Sequence, residues 1–198
     1  ARRFFMNDIE QLSSRIRACT ICNDFLPLGP RPVIQVSANA KILIVGQAPG
    51  IKVHETGIPF NDPSGDRLRE WMGINKKVFY NADKVAIIPM GFCYPGTGKS
   101  GDLPPRPECA TEWRDKLLSK MTKVALTLMI GNYAINWHLK NQKKKTLTET
   151  VKSNKDYGVH IMVLPHPSPR NNIWLKKNPW FEVDILPELR CKVGKLLI

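Results

Sequence analysis

Three short segments of this chain concentrate groups able to do chemistry: Gly46-Gln47-Ala48-Pro49-Gly50, Met90-Gly91-Phe92-Cys93 and His166-Pro167-Ser168-Pro169-Arg170-Asn171. Gly/Pro turns bring backbone amides close to a ligand, Gln47 carries an amide that both donates and accepts, and His166 carries an imidazole that donates or exchanges a proton near neutral pH. The five cysteines add a second theme. Cys19 and Cys22 form a C-x2-C pair, and Cys93 and Cys109 bracket a loop rich in Pro and Gly. Four sulfurs suffice for zinc or for a [4Fe-4S] cluster, whereas buried cysteines without a metal act as small apolar side chains. A long loop with few core-forming side chains needs something other than packing to hold it, which favours the metal reading. Cys191 is left over and reads as a packing residue.

These segments follow runs rich in β-branched residues. Lys41 to Val45, Val85 to Pro89, Val124 to Ile130 and His160 to Leu164 are too continuous to alternate in and out, and they predict strands buried on both faces. Helical spacing over Asn7–Ala18, Ser64–Met72, Glu108–Met121 and Tyr133–Leu139 separates or precedes them, with a last segment over Trp180–Leu197 interrupted at Pro187. An α/β fold follows: a three-layer α/β/α sandwich around a four-stranded parallel sheet. The carboxyl ends of parallel strands share one rim, so the three segments are expected to meet in one cleft.

The chain has 198 residues, 30 Lys plus Arg against 17 Asp plus Glu, and a net charge of +13. A single domain over residues 1–198 is expected, made of an N-terminal helix and cysteine pair (7–22), a core (41–171) and a C-terminal helical segment (172–198). The excess positive charge points to a polyanion partner. No apolar run approaches the ~18 residues that a membrane span needs. Ala1 to Asn7 lacks the apolar stretch of a secretory signal, so the chain is read as cytoplasmic, where cysteines bind metals more often than they pair.

Taken together, Cys19-Thr20-Ile21-Cys22, Gly46-Gln47-Ala48-Pro49-Gly50, Thr56-Gly57-Ile58-Pro59-Phe60, the Cys93 and Cys109 spacing and His166-Pro167-Ser168 resemble the uracil-DNA glycosylase superfamily, most closely its iron-sulfur branch, family 4. The resemblance implies a monomeric, monofunctional DNA glycosylase of base-excision repair that flips a deaminated base out of the duplex and hydrolyses its glycosidic bond. It also implies a [4Fe-4S] cluster on Cys19, Cys22, Cys93 and Cys109, with zinc as the weaker choice. Phe60 would stack on the flipped base. His166 would stabilise the anionic leaving base as a neutral donor. Gly46, Gln47, Ala48, Pro49, Gly50 and Met90 would surround the base and the attacking water, while Ser168, Pro169, Arg170 and Asn171 would meet the DNA. His166 and Phe60 must then face one cavity.

Two departures bear on substrate. Ala48 stands where some branches carry a water-activating aspartate, so His54 or Glu55, and further off Asp62 or Asp66, become candidates for that task. Pro89 stands where an asparagine usually reads the uracil edge, which removes a bidentate contact and leaves the preferred base open. A non-catalytic iron-sulfur DNA-binding module with the same fold is the alternative reading. Lys140, Lys143, Lys144 and Lys145 read as a solvated connection, and Lys176 and Lys177 as nearer to phosphate. Gly96-Thr97-Gly98-Lys99-Ser100 lacks the preceding strand and the first glycine of a phosphate-binding loop, so no triphosphate site is expected.

Overall fold

A computed structural model describes residues 7–197, so the arginine- and phenylalanine-bearing start lies outside the described residues. The central sheet is wholly parallel. Its strands are β1 (Ile42–Val45), β2 (Val85–Ile87), β5 (Leu126–Ile130) and β6 (Ile161–Leu164), in the spatial order β2-β1-β5-β6. A two-stranded antiparallel hairpin, β3 (Thr97–Gly98) with β4 (Gly101–Asp102), stands apart from it. Ile42 is in register with both Val85 and Leu126, and Ile130 with Leu164. Nearly every residue of the four long strands is buried. That burial is why they read as unbroken apolar runs.

The helices are α1 (Asp8–Arg17), α2 (Ile51–Thr56), α3 (Pro63–Met72), α4 (Lys76–Phe79), α5 (Asp115–Leu118), α6 (Asn132–Leu139), α7 (Leu147–Lys152), α8 (Asn172–Lys177) and α9 (Leu186–Leu197). They flank the sheet as an α/β fold requires, with α3 packed on α9 and α6 on β5. Local chemistry sets several boundaries. The Asn7 side chain accepts from the Glu10 backbone while Glu10 reaches back to Asn7, a reciprocal cap that starts α1. Asp62 caps α3 with Pro63 in its first turn, and Gly73 ends it in the left-handed region. Among the described residues no helix is long and apolar enough to cross a membrane.

Three expected boundaries differ. The second strand stops at Ile87 rather than Pro89, because Pro89 has no N–H to donate to the ladder. The helix expected over Glu108–Met121 is a wide π-turn, Ala110–Arg114, followed by the single turn of α5. The break expected at Pro187 is absent: a second π-turn, Phe181–Ile185, runs into α9, and Pro187 falls in the first turn of α9, where a helix tolerates proline.

Chain order reverses direction across the sheet at β1. The chain passes from β1 out to β2 on one side, then returns across β1 to β5 and β6 on the other. Such a reversal leaves a crevice at the carboxyl ends of the strands.

Candidate active site and cysteine cavity

The crevice is formed and holds a pocket. The turn after β1 contributes Gly46 to Gly50, the end of β2 contributes Ile87 and Pro89, the segment before α3 contributes Pro59, Phe60 and Asp62, and the turn after β6 contributes His166. His166 and Phe60 therefore line the same cavity. A broader outer cleft shares Gln47, Ala48, Gly50, Asp62, Ser64 and His166 with this pocket and adds Ser100, Gly101 and Asp102 from the hairpin, with Ser168, Arg170 and Asn171.

Phe60 is held in place by its backbone. Its φ of 55° lies in the left-handed region, costly for a bulky residue and found mainly where function needs it. Arg69, almost fully buried, donates to the Phe60 carbonyl at 3.3 Å and pairs with Asp66 at 2.7 Å, while the Tyr80 hydroxyl donates to the Pro59 carbonyl at 2.9 Å. The ring meets Phe79 edge to face at 6.1 Å. Two glycines make room for it. A Cβ on Gly46 would stand 3.3 Å from the tip of the Phe60 ring, and one on Gly65 would stand 2.7 Å from the Phe60 carbonyl carbon.

The His166 turn is equally fixed. The Ser168 backbone N–H donates to His166 Nδ1 at 3.1 Å, so Nδ1 carries the lone pair and the proton sits on Nε2. Burial holds the imidazole below the usual histidine range, against the opposing pull of Asp62 and Asp102, so the ring is neutral at pH 7. The result is a neutral N–H donor on the wall of the pocket. Asn171 Nδ2 donates to the His166 carbonyl at 2.7 Å, the Ser168 hydroxyl accepts from the Arg170 N–H, and Arg67 of α3 reaches the Ser168 carbonyl at 3.2 Å and Asn172 Oδ1 at 2.8 Å. The side chains of Ser168 and Asn171 are thus engaged within the turn. Pro169 and Arg170 are exposed beside the cleft, where Arg170 reaches the Ser100 carbonyl of the hairpin at 3.4 Å.

Other expected residues sit elsewhere. Met90 does not line the base-sized pocket. It lines a separate apolar groove with Trp137, Tyr133 and Pro105, because successive side chains at a strand end point to opposite faces, and Pro89 takes the pocket side. His54 and Glu55 line neither cavity: the His54 ring packs near Tyr94 at 6.0 Å, and both backbone carbonyls accept from Arg31. Asp66 is committed to Arg69, whereas Asp62 lines both cavities. Sequence reasoning missed Ser100, Asp102 and Arg67. The hairpin loop Lys99-Ser100 carries none of the dipeptides that mark a two-residue turn, so no local signal pointed to the first two.

The four cysteines Cys19, Cys22, Cys93 and Cys109 line one further cavity, with Leu26, Pro30, Pro32, Phe92, Arg106 and Trp113. The Phe92 N–H donates to Cys109 Sγ at 3.4 Å. Without a metal, burial pushes the Cys93 thiol up to about 12 and the Cys109 thiol to about 11, and raises Cys22 despite the neighbouring Arg106. Among the described residues no three His, Cys, Asp or Glu side chains converge as ligands of a single ion, yet all four cysteines line the same cavity. Four cysteines around one cavity are a donor set that either zinc or an iron-sulfur cluster takes. Cys191 is exposed rather than packed, contrary to its reading as a packing residue.

With this geometry in place, a protein-family model described as the uracil DNA glycosylase superfamily matches residues 33–190. The chain belongs to this superfamily. The match covers the whole sheet, Phe60 and the His166 turn together with Cys93 and Cys109, and it begins after Cys19 and Cys22.

Proposed function

We propose that the protein is a monofunctional DNA glycosylase that excises a deaminated base by hydrolysis. The observation that carries this reading is the pairing, in one pocket, of a rigid aromatic face with a neutral imidazole whose Nε2–H is its only donor. The duplex is held through phosphates by the cations of a +13 chain, with Arg170 beside the cleft. A flipped base slides against Phe60, which accepts any planar ring. As the glycosidic bond lengthens, its electron pair moves onto the base and negative charge gathers on a ring carbonyl oxygen. His166 donates to that oxygen without giving up its proton, a contribution of the kind worth about 10²–10³ in rate. The side chain of Gln47 makes no hydrogen bond to another described residue and is available to the base edge or the water. Pro89 offers no hydrogen bond there, so the pocket selects its base by shape and by Gln47 and His166 rather than by an asparagine.

Cys19, Cys22, Cys93 and Cys109, which line one cavity, would hold the [4Fe-4S] cluster of the iron-sulfur branch, with zinc the weaker choice. Such a cluster supplies a cross-link between the segment before the sheet and the inter-cysteine loop. That loop carries Asp102 and Ser100 to the cleft. The protein acts as a monomer on DNA in the cytoplasm.

Oligonucleotides containing uracil, hypoxanthine, xanthine or a mismatch, incubated with the protein and then cleaved with alkali, test the reading. At least one lesion should yield an abasic product, and His166→Ala should lose about 10²-fold or more while remaining folded. Unchanged oligonucleotides across the panel, with salt-sensitive DNA binding retained, would select the non-catalytic DNA-binding module instead. Anaerobically purified protein should absorb near ~400 nm and lose the band in Cys109→Ser.

A further inference from the structure

Hydrolysis needs an acceptor for the water's proton, and Ala48 offers none. Six residues line both the base pocket and the outer cleft, which places them where the glycosidic bond must lie: Gln47, Ala48, Gly50, Asp62, Ser64 and His166. Asp62 is the one carboxylate among them. Its Oδ1 accepts from the Gly65 N–H at 2.8 Å as the cap of α3, and Oδ2 makes no hydrogen bond to another described residue. The other candidates are excluded by position. Asp102 lines only the outer cleft and accepts from Thr97 Oγ1, Asp66 is paired with Arg69 and lines neither cavity, and His54 and Glu55 lie behind the wall.

We infer that Asp62 is a catalytic residue, the group that orients the attacking water and takes its proton; the inference rests on the glycosylase reading. The carboxylate faces a sugar that becomes cationic as the base leaves, so its negative charge stabilises that cation before the water arrives. The water oxygen then bonds to C1′, the glycosidic electron pair already rests on the base, and one water proton passes to Asp62 Oδ2. The base gains a proton from solvent, and Asp62 returns its own to solvent. The products are the neutral base and an abasic sugar. His166 and Asp62 divide the work: one faces the developing anion, the other the developing cation. The cap bond to Gly65 fixes the carboxylate without using the oxygen that the water needs.

The cap supplies a clean test. Asparagine caps a helix as well as aspartate does, so Asp62→Asn keeps α3 and removes only the charge and the basic oxygen. On whichever lesion the wild type excises best, D62N should show a single-turnover rate lower by about 10²-fold or more. Its melting temperature and its affinity for duplex containing the abasic product should match the wild type. Should D62N fold poorly, Asp62→Ser, also a good cap, carries the same expectation. A folded D62N or D62S within threefold of the wild-type rate overturns the assignment and leaves the glycosylase reading standing. A wild type inactive on every lesion overturns the glycosylase reading, and this inference with it.

Discussion

Replacing Gly65 with alanine sets two physical expectations against each other. In a helix, Gly→Ala ordinarily stabilises by about 0.5–1 kcal/mol, because the unfolded chain loses conformational freedom. At Gly65 the added methyl would stand 2.7 Å from the Phe60 carbonyl carbon, 2.8 Å from its Cβ, and closer still to the carbonyl oxygen. Nothing flexible lies there to yield, since the obstacle is backbone pinned by Arg69. The first turn of α3 must therefore move off Phe60. That movement costs about 1–3 kcal/mol as overpacking and loosens the Asp62 cap, worth about 1 kcal/mol. The net expectation is a loss of about 1–3.5 kcal/mol, or roughly 2–14 °C in melting temperature for a chain of this size. Circular dichroism melts measure it, and excision at a temperature where the variant is still folded reports the displaced ring. A G65A protein that melts at or above the wild type would refute the reasoning that Gly65 exists to admit Phe60.

Two further predictions concern the pocket and the core. Pro89→Asn places an amide on the pocket wall while the Pro89 carbonyl keeps its bond to Arg114, and it should favour uracil over cytosine by about 1–3 kcal/mol, read as the ratio of excision rates. His138 of α6 is partly buried, its Nε2 buried with no hydrogen-bond partner among the described residues, and burial, aided by the nearby Arg114 charge, pushes its imidazole down to about 4. The unfolded imidazole takes a proton near pH 6.5 and the folded one only near 4, so unfolding takes up a proton in that window and stability falls as pH falls through it. The loss approaches about 3 kcal/mol at pH 4. His138→Leu should flatten that part of the urea-unfolding pH profile, and an unchanged profile would contradict the assignment.

Much of this architecture is legible in the residues themselves. Ile42-Leu43-Ile44-Val45 and its three counterparts are buried on both faces, so their apolar runs betray them, and parallel strands carry whatever follows them to one rim. That Phe60 and His166 share a pocket was implied by the family resemblance and not by strand geometry, since Phe60 follows no strand. What stayed hidden depends on contacts that no local pattern encodes. Met90 and Pro89 are neighbours, and which of them faces the pocket depends on where pairing with β1 ends; the Met90 N–H bonding to the Gly46 carbonyl at 2.9 Å sets that phase. The π-turn before α5 widens a helix that spacing alone reads as regular, and within it Arg114 is turned inward to the carbonyls of Ile88 and Pro89. Arg67 joins α3 to a turn 101 residues away, beyond the range of any sequence window.

The left-handed backbone at Phe60 carries a consequence for how this enzyme can diversify. Because the Phe60 backbone is held in the left-handed region by Arg69 and packed against Gly65, its Cα–Cβ direction is fixed and the ring stays on this wall of the pocket. A change in the shape of the pocket is then expected at other lining residues, Val33, Ile87 and Pro89, which belong to no helix start. Substrate range in descendants of this chain should track those three positions while the aromatic stays put.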